Sequence, residues 1–179
     1  IFAKNSKFNL LCLPVDDFPN FSDDFNTKSF RLDSKKLLSL LNKTKISMSN
    51  DDTRHYLNGI FIHTTASNKS SYLTGVATDT HRLSSSSIPI ENTENFKPFI
   101  LPQKTVFQLC NLLQESEGEI FLNVGDTKIQ FKIGNSKIVS KVIDGKFPDY
   151  EKVVPKNNTK TLTVNTKEFI NSIERVITV

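Results

Sequence analysis

The chain has 179 residues, a formal charge of +4, 23% charged and 37% hydrophobic residues, fourteen Phe and no Trp. That supports one medium core, not a large two-core enzyme, and leaves a solvated lysine-rich surface and a polyanion partner as equal readings of the charge. Cys12 and Cys110 are far apart and unpatterned, which fits a reduced compartment. No apolar run is long enough to span a membrane, and no signal peptide is visible in residues 1–30, so the expected location is cytoplasmic.

Residues 1–14 alternate loosely about an Asn5-Ser6 turn and predict a hairpin arm with Phe8, Leu10 and Cys12 on one side; the acidic, polar stretch 16–28 predicts a connection between domains. Phe30 and Leu32 begin a short strand. Asp33-Ser34 is an N-cap pair, and the spacing of Leu37, Leu38, Leu40 and Leu41 predicts a helix to about residue 45, with Lys36, Ser39 and Lys43 on its other face. Strands are expected at 56–63, 72–78 and 83–88, with 66–71 an exposed hairpin loop.

The plan then restarts. Residues 99–101 predict a strand, Pro102 suits a helix's first turn, and Val106, Leu109, Leu112 and Leu113 form a helical stripe. Strands follow at 119–124, 128–133 and 137–143, joined by Gly125-Asp126 and Gly134-Asn135 turns; Phe121 and Phe131 read as core. Phe30 and Phe99, like Lys35 and Lys104, stand 69 residues apart. The expected fold is therefore α+β: a pseudo-twofold domain of two strand-helix-three-strand halves, with both helices on one face of a shared antiparallel sheet. A longer repeat overlies this one. Asn5-Ser6-Lys7-Phe8 is echoed by Asn135-Ser136-Lys137-Ile138, Asp17-Phe18-Pro19 by Lys146-Phe147-Pro148, and Phe30-Arg31-Leu32-Asp33-Ser34-Lys35 by Leu162-Thr163-Val164-Asn165-Thr166-Lys167, at separations of 129 to 132 residues.

No phosphate-binding glycine loop can be assembled, and His55, His63 and His81 lack metal spacing. The dense polar cluster Thr78-Asp79-Thr80-His81-Arg82 joins two strands. A hydrolase would need an activated nucleophile there, whereas Ser84–87 is a plain run on a strand; a hairpin whose Thr78 and Asp79 bond their own backbone is the simpler reading.

Three strings in order, Arg54-His55-Tyr56-Leu57-Asn58-Gly59, Val76-Ala77-Thr78-Asp79-Thr80-His81-Arg82-Leu83 and Asp144-Gly145-Lys146-Phe147-Pro148-Asp149-Tyr150, resemble the middle domain of the bacterial sliding clamp, the beta subunit of DNA polymerase III. The resemblance covers the whole chain: the end of a first clamp domain (1–27), a complete second (28–158) and the start of a third (159–179). It implies the DNA clamp fold and a non-catalytic processivity factor without cofactor or metal. Full-length chains would close into a homodimeric ring around duplex DNA, bound by the alpha subunit of the polymerase, the clamp loader and repair proteins. This piece alone would not close the ring. The resemblance places Lys35, Lys36, Lys43, Arg54, Tyr56 and Lys104 toward DNA, although the lysines suit an ordinary surface equally well. It places a peptide pocket at Leu57, Thr78, Thr80, His81, Arg82, Leu83, Pro148, Lys152 and Val153, where Leu57 suits a core position as well as a pocket wall. Departures from the family pattern are Thr80 for Gly, Lys152 for Arg, His55 for Tyr, Asp51 for an amide, and a longer 64–71 loop. The rival readings are a generic nucleic-acid-binding α+β domain, which would show aromatic stacking platforms, and a small hydrolase using Asp79 and His81.

Overall fold

A computed structural model describes the chain except residues 18–24, 26–28, 68, 69 and 179, so most of the predicted 16–28 connection lies outside the described residues. The described chain forms two compact units, Ile1–Phe147 and Pro148–Val179.

In the first unit, β1 (Phe2–Ala3) and β2 (Ser6–Lys7) form the expected hairpin arm, fully exposed. The repeated plan follows. β3 (Ser29–Asp33) leads into α1 (Ser34–Thr44), then β4 (Gly59–Ser67), β5 (Ser70–Thr78) and β6 (Leu83–Pro89). The second pass is β7 (Phe99–Pro102), α2 (Gln103–Gln114), β8 (Glu119–Val124), β9 (Lys128–Ile133) and β10 (Ser136–Lys141). Asp33 caps α1, its carboxylate accepting from the Lys36 amide at 2.8 Å. Pro102 is the N-cap of α2, one residue earlier than expected, and ends β7 opposite Gly59, where its missing N–H costs no ladder bond that the strand needs.

The single shared sheet is corrected to two four-stranded antiparallel sheets, ordered β6-β5-β4-β7 and β10-β9-β8-β3. Each half contributes three consecutive strands to one sheet and lends its first strand to the other. β7 also makes an isolated bridge to the segment that follows β10, where the Ile143 amide donates to the Ile100 carbonyl at 3.0 Å. Hydrophobic periodicity shows which residues of a strand face inward, but it does not name the neighbouring strand; the exchange was therefore invisible in the pattern.

Both helices pack against each other and against the sheets. Leu37, Leu40 and Leu41 of α1 meet Val106, Leu109 and Leu113 of α2 in one core with Ile60, Leu73, Ile120, Leu122, Ile129 and Phe131 from the two sheets. Each fully buried Leu contributes about 1.5–3 kcal/mol. Gly75 makes room for this packing: a Cβ there would stand 2.6 Å from Leu40 Cδ2. Burial thus occupies one side of each helix and leaves Lys35, Ser39 and Lys43 of α1 and Lys104, Phe107 and Asn111 of α2 exposed.

Three further expectations change. Residues 56 and 57, expected to begin a strand, lie instead in the 3-10 turns of 52–57, and β4 begins at Gly59. Only residues 68 and 69 separate β4 from β5, so most of the predicted 66–71 loop is paired strand. Phe121 is 40% exposed, not core, because Ile120, Leu122 and Val124 take the inward positions of β8; Phe131 is buried as expected.

The second unit holds a 3-10 turn at Tyr150–Lys152 and α3 (Thr166–Ile177), capped by Asn165, which accepts from the Lys167 and Glu168 amides. Residues 162–164, which echo the start of β3 in sequence, form no strand.

Candidate functional site

The segment 51–58 and the β5–β6 turn carry most of the candidate residues. Asp51 caps the 3-10 segment: its Oδ1 accepts from the Thr53 amide at 2.9 Å and from Thr53 Oγ1 at 2.6 Å. Its Oδ2 accepts from Arg54 Nε at 2.8 Å, with Nη2 also 2.8 Å away. The Thr53 hydrogen bonds, side chain first and then amide, and after them the Arg54 guanidinium hold the Asp51 pKa down to about 2. Arg54 itself has non-helical backbone angles that break the segment into two turns. Leu57 ends the segment 1% exposed but outside the main core cluster, so burial favours a structural share for its side chain. The Asp144-Gly145 backbone closes over this segment. His55 Nε2 lies 3.1 Å from the Asp144 carbonyl, and a Cβ on Gly145, at φ +147°, would stand 3.1 Å from Tyr56 Cβ. The glycine is thus required by both conformation and space. Phe147 is buried and stacks on Phe61 at 4.9 Å between centroids.

At the other element, Thr78 and Leu83 face each other as the last pair of the β5–β6 ladder. The turn between them is tied by its own side chains, as the simpler reading expected. Thr78 Oγ1 donates to the Arg82 carbonyl at 2.7 Å and accepts from the Thr80 amide at 3.1 Å. Asp79 Oδ1 accepts from the His81 and Arg82 amides, each at 3.0 Å, and Oδ2 from Arg82 Nε at 3.0 Å. These bonds, led by the Arg82 amide, lower the Asp79 pKa. Both carboxylate oxygens are therefore engaged by the turn, and none of these bonds orients the His81 ring as a hydrolase base would require. Thr80 sits at φ +78°, a left-handed conformation unusual for a β-branched residue. Arg54 Nη1 reaches Thr80 Oγ1 at 3.5 Å, so the two elements touch.

Pro148, Lys152 and Val153 belong to the second unit. All three are exposed there, and Lys152 Nζ pairs with Asp149 Oδ2 at 2.9 Å, a hydrogen bond that raises the lysine pKa.

The residues placed toward DNA divide. Lys43 and Lys104 are exposed on adjoining helices. Lys35 is exposed but pairs with Glu117 at 3.2 Å. Lys36 lies at the flank of α1, lining a cleft of about 530 Å³ with Arg31, Asp33, Glu91 and Glu119, an acidic neighbourhood that weakens it as a phosphate contact. Arg54 is held by Asp51, and Tyr56 is half-buried against His55, ring centroids 5.9 Å apart. Sequence reasoning missed Phe107, 46% exposed on α2 with Lys45 Nζ 6.0 Å from its ring centre. Its place between Val106 and Gln108, off the leucine stripe, was the available signal. Among the described residues no group of His, Cys, Asp and Glu could hold a metal ion.

A model of the DNA polymerase III beta subunit central domain matches residues 31–149. The beta sliding clamp of Caulobacter vibrioides is 37% identical over 180 residues, spanning 100% of this chain and 48% of that protein. That of Salmonella typhimurium is 38% identical over 157 residues, 88% of this chain and 42% of that one. Among solved structures, a Caulobacter crescentus beta sliding clamp superposes with a TM-score of 0.91 at 37% identity, covering 96% of this chain and 46% of its own. A Bartonella birtlesii sliding clamp bound to griselimycin gives 0.86 at 37%, covering 94% and 45%. The chain thus spans about half the length of the relatives it matches. On the family match, the relatives' identity and the shared fold, this chain belongs to the bacterial sliding clamp family, the beta subunits of DNA polymerase III, with residues 31–149 matching that family's central domain.

Proposed function

We propose that this chain is a segment of a DNA sliding clamp, a non-catalytic processivity factor that surrounds duplex DNA and tethers the replicative polymerase. Residues 28–158 would be its middle domain, 1–27 the end of the domain before and 159–179 the start of the next. The observation that carries the reading is the pair of adjoining helices, α1 and α2, which bury their leucine stripes and present Lys43 and Lys104 outward. Contacts of that kind neutralise phosphates without reading bases, so binding is sequence-independent and falls with salt. The second role is capture of short linear motifs from the polymerase alpha subunit, the clamp loader and repair proteins. In the first unit Leu57, Thr78, Thr80, His81, Arg82 and Leu83 would serve this role, with His81 and Arg82 at the rim; in the second unit the residues assigned to it are Pro148, Lys152 and Val153. The Bartonella relative binds griselimycin, and this chain is expected to bind it as well. A protein acting on bacterial DNA would work in the cytoplasm. No helix among the described residues is long and apolar enough to cross a membrane.

The rival nucleic-acid-binding reading gains one residue, since Phe121 is exposed between Arg31 and Lys132 on neighbouring strands. A single ring there is less than the series of stacking platforms that single-strand binding uses. Substituting His81→Ala separates the readings. The clamp reading expects weaker binding of a Gln-Leu-Ser-Leu-Phe peptide with an unchanged circular dichroism spectrum and unchanged duplex binding. Undiminished peptide binding to the variant, or binding only to single strands by the unmodified chain, would overturn it.

A further inference from the structure

The candidate DNA side and the candidate peptide side are joined through one guanidinium. Arg54 places Nε and Nη2 on a single oxygen, Asp51 Oδ2, because Thr53 has already claimed Oδ1 from both its amide and its hydroxyl. With Oδ1 bound to Thr53, the carboxylate meets the arginine through Oδ2 alone rather than through a two-oxygen fork. It fixes the plane of the guanidinium instead. In that plane the remaining nitrogen, Nη1, is directed to Thr80 Oγ1 at 3.5 Å. Thr80 is the turn residue at φ +78°, a conformation that a β-branched side chain holds only where its surroundings fix it. Two bonds fix it here, its amide donating to Thr78 Oγ1 and its hydroxyl accepting from Arg54. A glycine at this position would need neither.

The geometry points to Asp51 as a brake on Arg54: it withdraws the guanidinium from phosphate contact and aims it at Thr80, making Arg54 a positioning residue for the peptide-capturing turn. This inference rests on the clamp reading above and deepens it. The three residues act in series. Asp51 fixes Arg54, Arg54 steadies Thr80, and Thr80 shapes the turn that presents His81 and Arg82. The same arrangement subtracts a cation from the DNA side, since a paired arginine releases no counterion when DNA arrives.

The test uses the whole chain, a fluorescein-labelled Gln-Leu-Ser-Leu-Phe peptide and a short random-sequence duplex titrated over a range of salt. Arg54→Gln is expected to leave the slope of log K against log salt unchanged, whereas Asp51→Asn steepens it by about one, and the double variant loses that gain. Peptide affinity is expected to fall about threefold to tenfold in Arg54→Gln and in Thr80→Ala, with no further loss on combining them, while Thr80→Ser binds as the unmodified chain does. Independently of any ligand, the Arg54 Nε–H resonance should be protected from solvent exchange and lose that protection in Asp51→Asn. A slope flattened by about one in Arg54→Gln, additive losses in the peptide arm, or an unprotected Nε–H overturns the inference and leaves the clamp reading standing. If the unmodified chain binds neither probe, the clamp reading falls and takes this inference with it.

Discussion

α1 and α3 begin alike and end differently. Phe30-Arg31-Leu32-Asp33-Ser34-Lys35 leads into one and Leu162-Thr163-Val164-Asn165-Thr166-Lys167 into the other, and each is capped by the carboxylate or amide oxygen at the fourth position of its string. α1 buries Leu37, Leu40 and Leu41 against two sheets, whereas α3 leaves Phe169, Ile170, Ile173 and Ile177 exposed along one stripe. The same local code therefore makes a helix in both places, but only in the first unit do later strands supply a surface for it. A capped amphipathic helix specifies which face needs covering; the core that covers it comes from residues far away in sequence. Under the clamp proposal the stripe on α3 belongs against the sheets of a third repeated unit.

That contrast can be broken from either side. Leu40→Ala is expected to cost about 3 kcal/mol in a urea denaturation, because the side chain is fully buried. Ile173→Ala on the exposed stripe should change the same transition by less than about 0.5 kcal/mol. Equal losses would mean that α3 shares a core. Next in size, Gly75→Ala should cost about 1–3 kcal/mol, since the added methyl overlaps Leu40 Cδ2 and forces that buried side chain to repack. Asp33→Ala should cost about 1 kcal/mol through the lost cap. Asn165→Ala should instead reduce only the local helicity of 166–177, read by amide chemical shifts.

The smallest effect at neutral pH concerns the turn elements. Asp51 ionises at about 2 when folded against a reference of 3.8, and Asp79 is also lowered. A depressed carboxylate stabilises the fold fully above its unfolded value and ceases to as pH falls through the folded one. The Thr53 amide resonance should hold steady from about pH 8 through the ordinary aspartate range and shift as pH falls through about 2, the shift vanishing in Asp51→Asn; the His81 amide should shift only as pH falls below the ordinary aspartate range.

Much of this was legible in the chain because it is encoded locally. The Asp33 cap, the leucine spacing and the 69-residue duplication are properties of neighbours or of repeats, and the helices and most strands lie where those signals put them. What depended on distant residues was not. The exchange of first strands between sheets left no trace in periodicity. Tyr56 and Leu57 read as the start of the 56–63 strand; Asp51 capping and the Gly145 contact place them in tight turns instead. The candidate site was legible as a set of residue types, with Thr78 and Asp79 bonding their own turn as expected. The Asp51–Arg54–Thr80 connection was not, since it joins residues 26 apart across two elements.

The central claim is that the outward helix faces meet DNA while the β5–β6 turn captures peptide. Amide chemical-shift mapping of the unmodified chain with each ligand in turn tests it most directly. The account expects duplex DNA to shift resonances around Lys43 and Lys104, and the Gln-Leu-Ser-Leu-Phe peptide to shift those of residues 57 and 78–83. Shifts from both ligands on the same residues, or from the peptide only on the outer strands of the sheets, would contradict it.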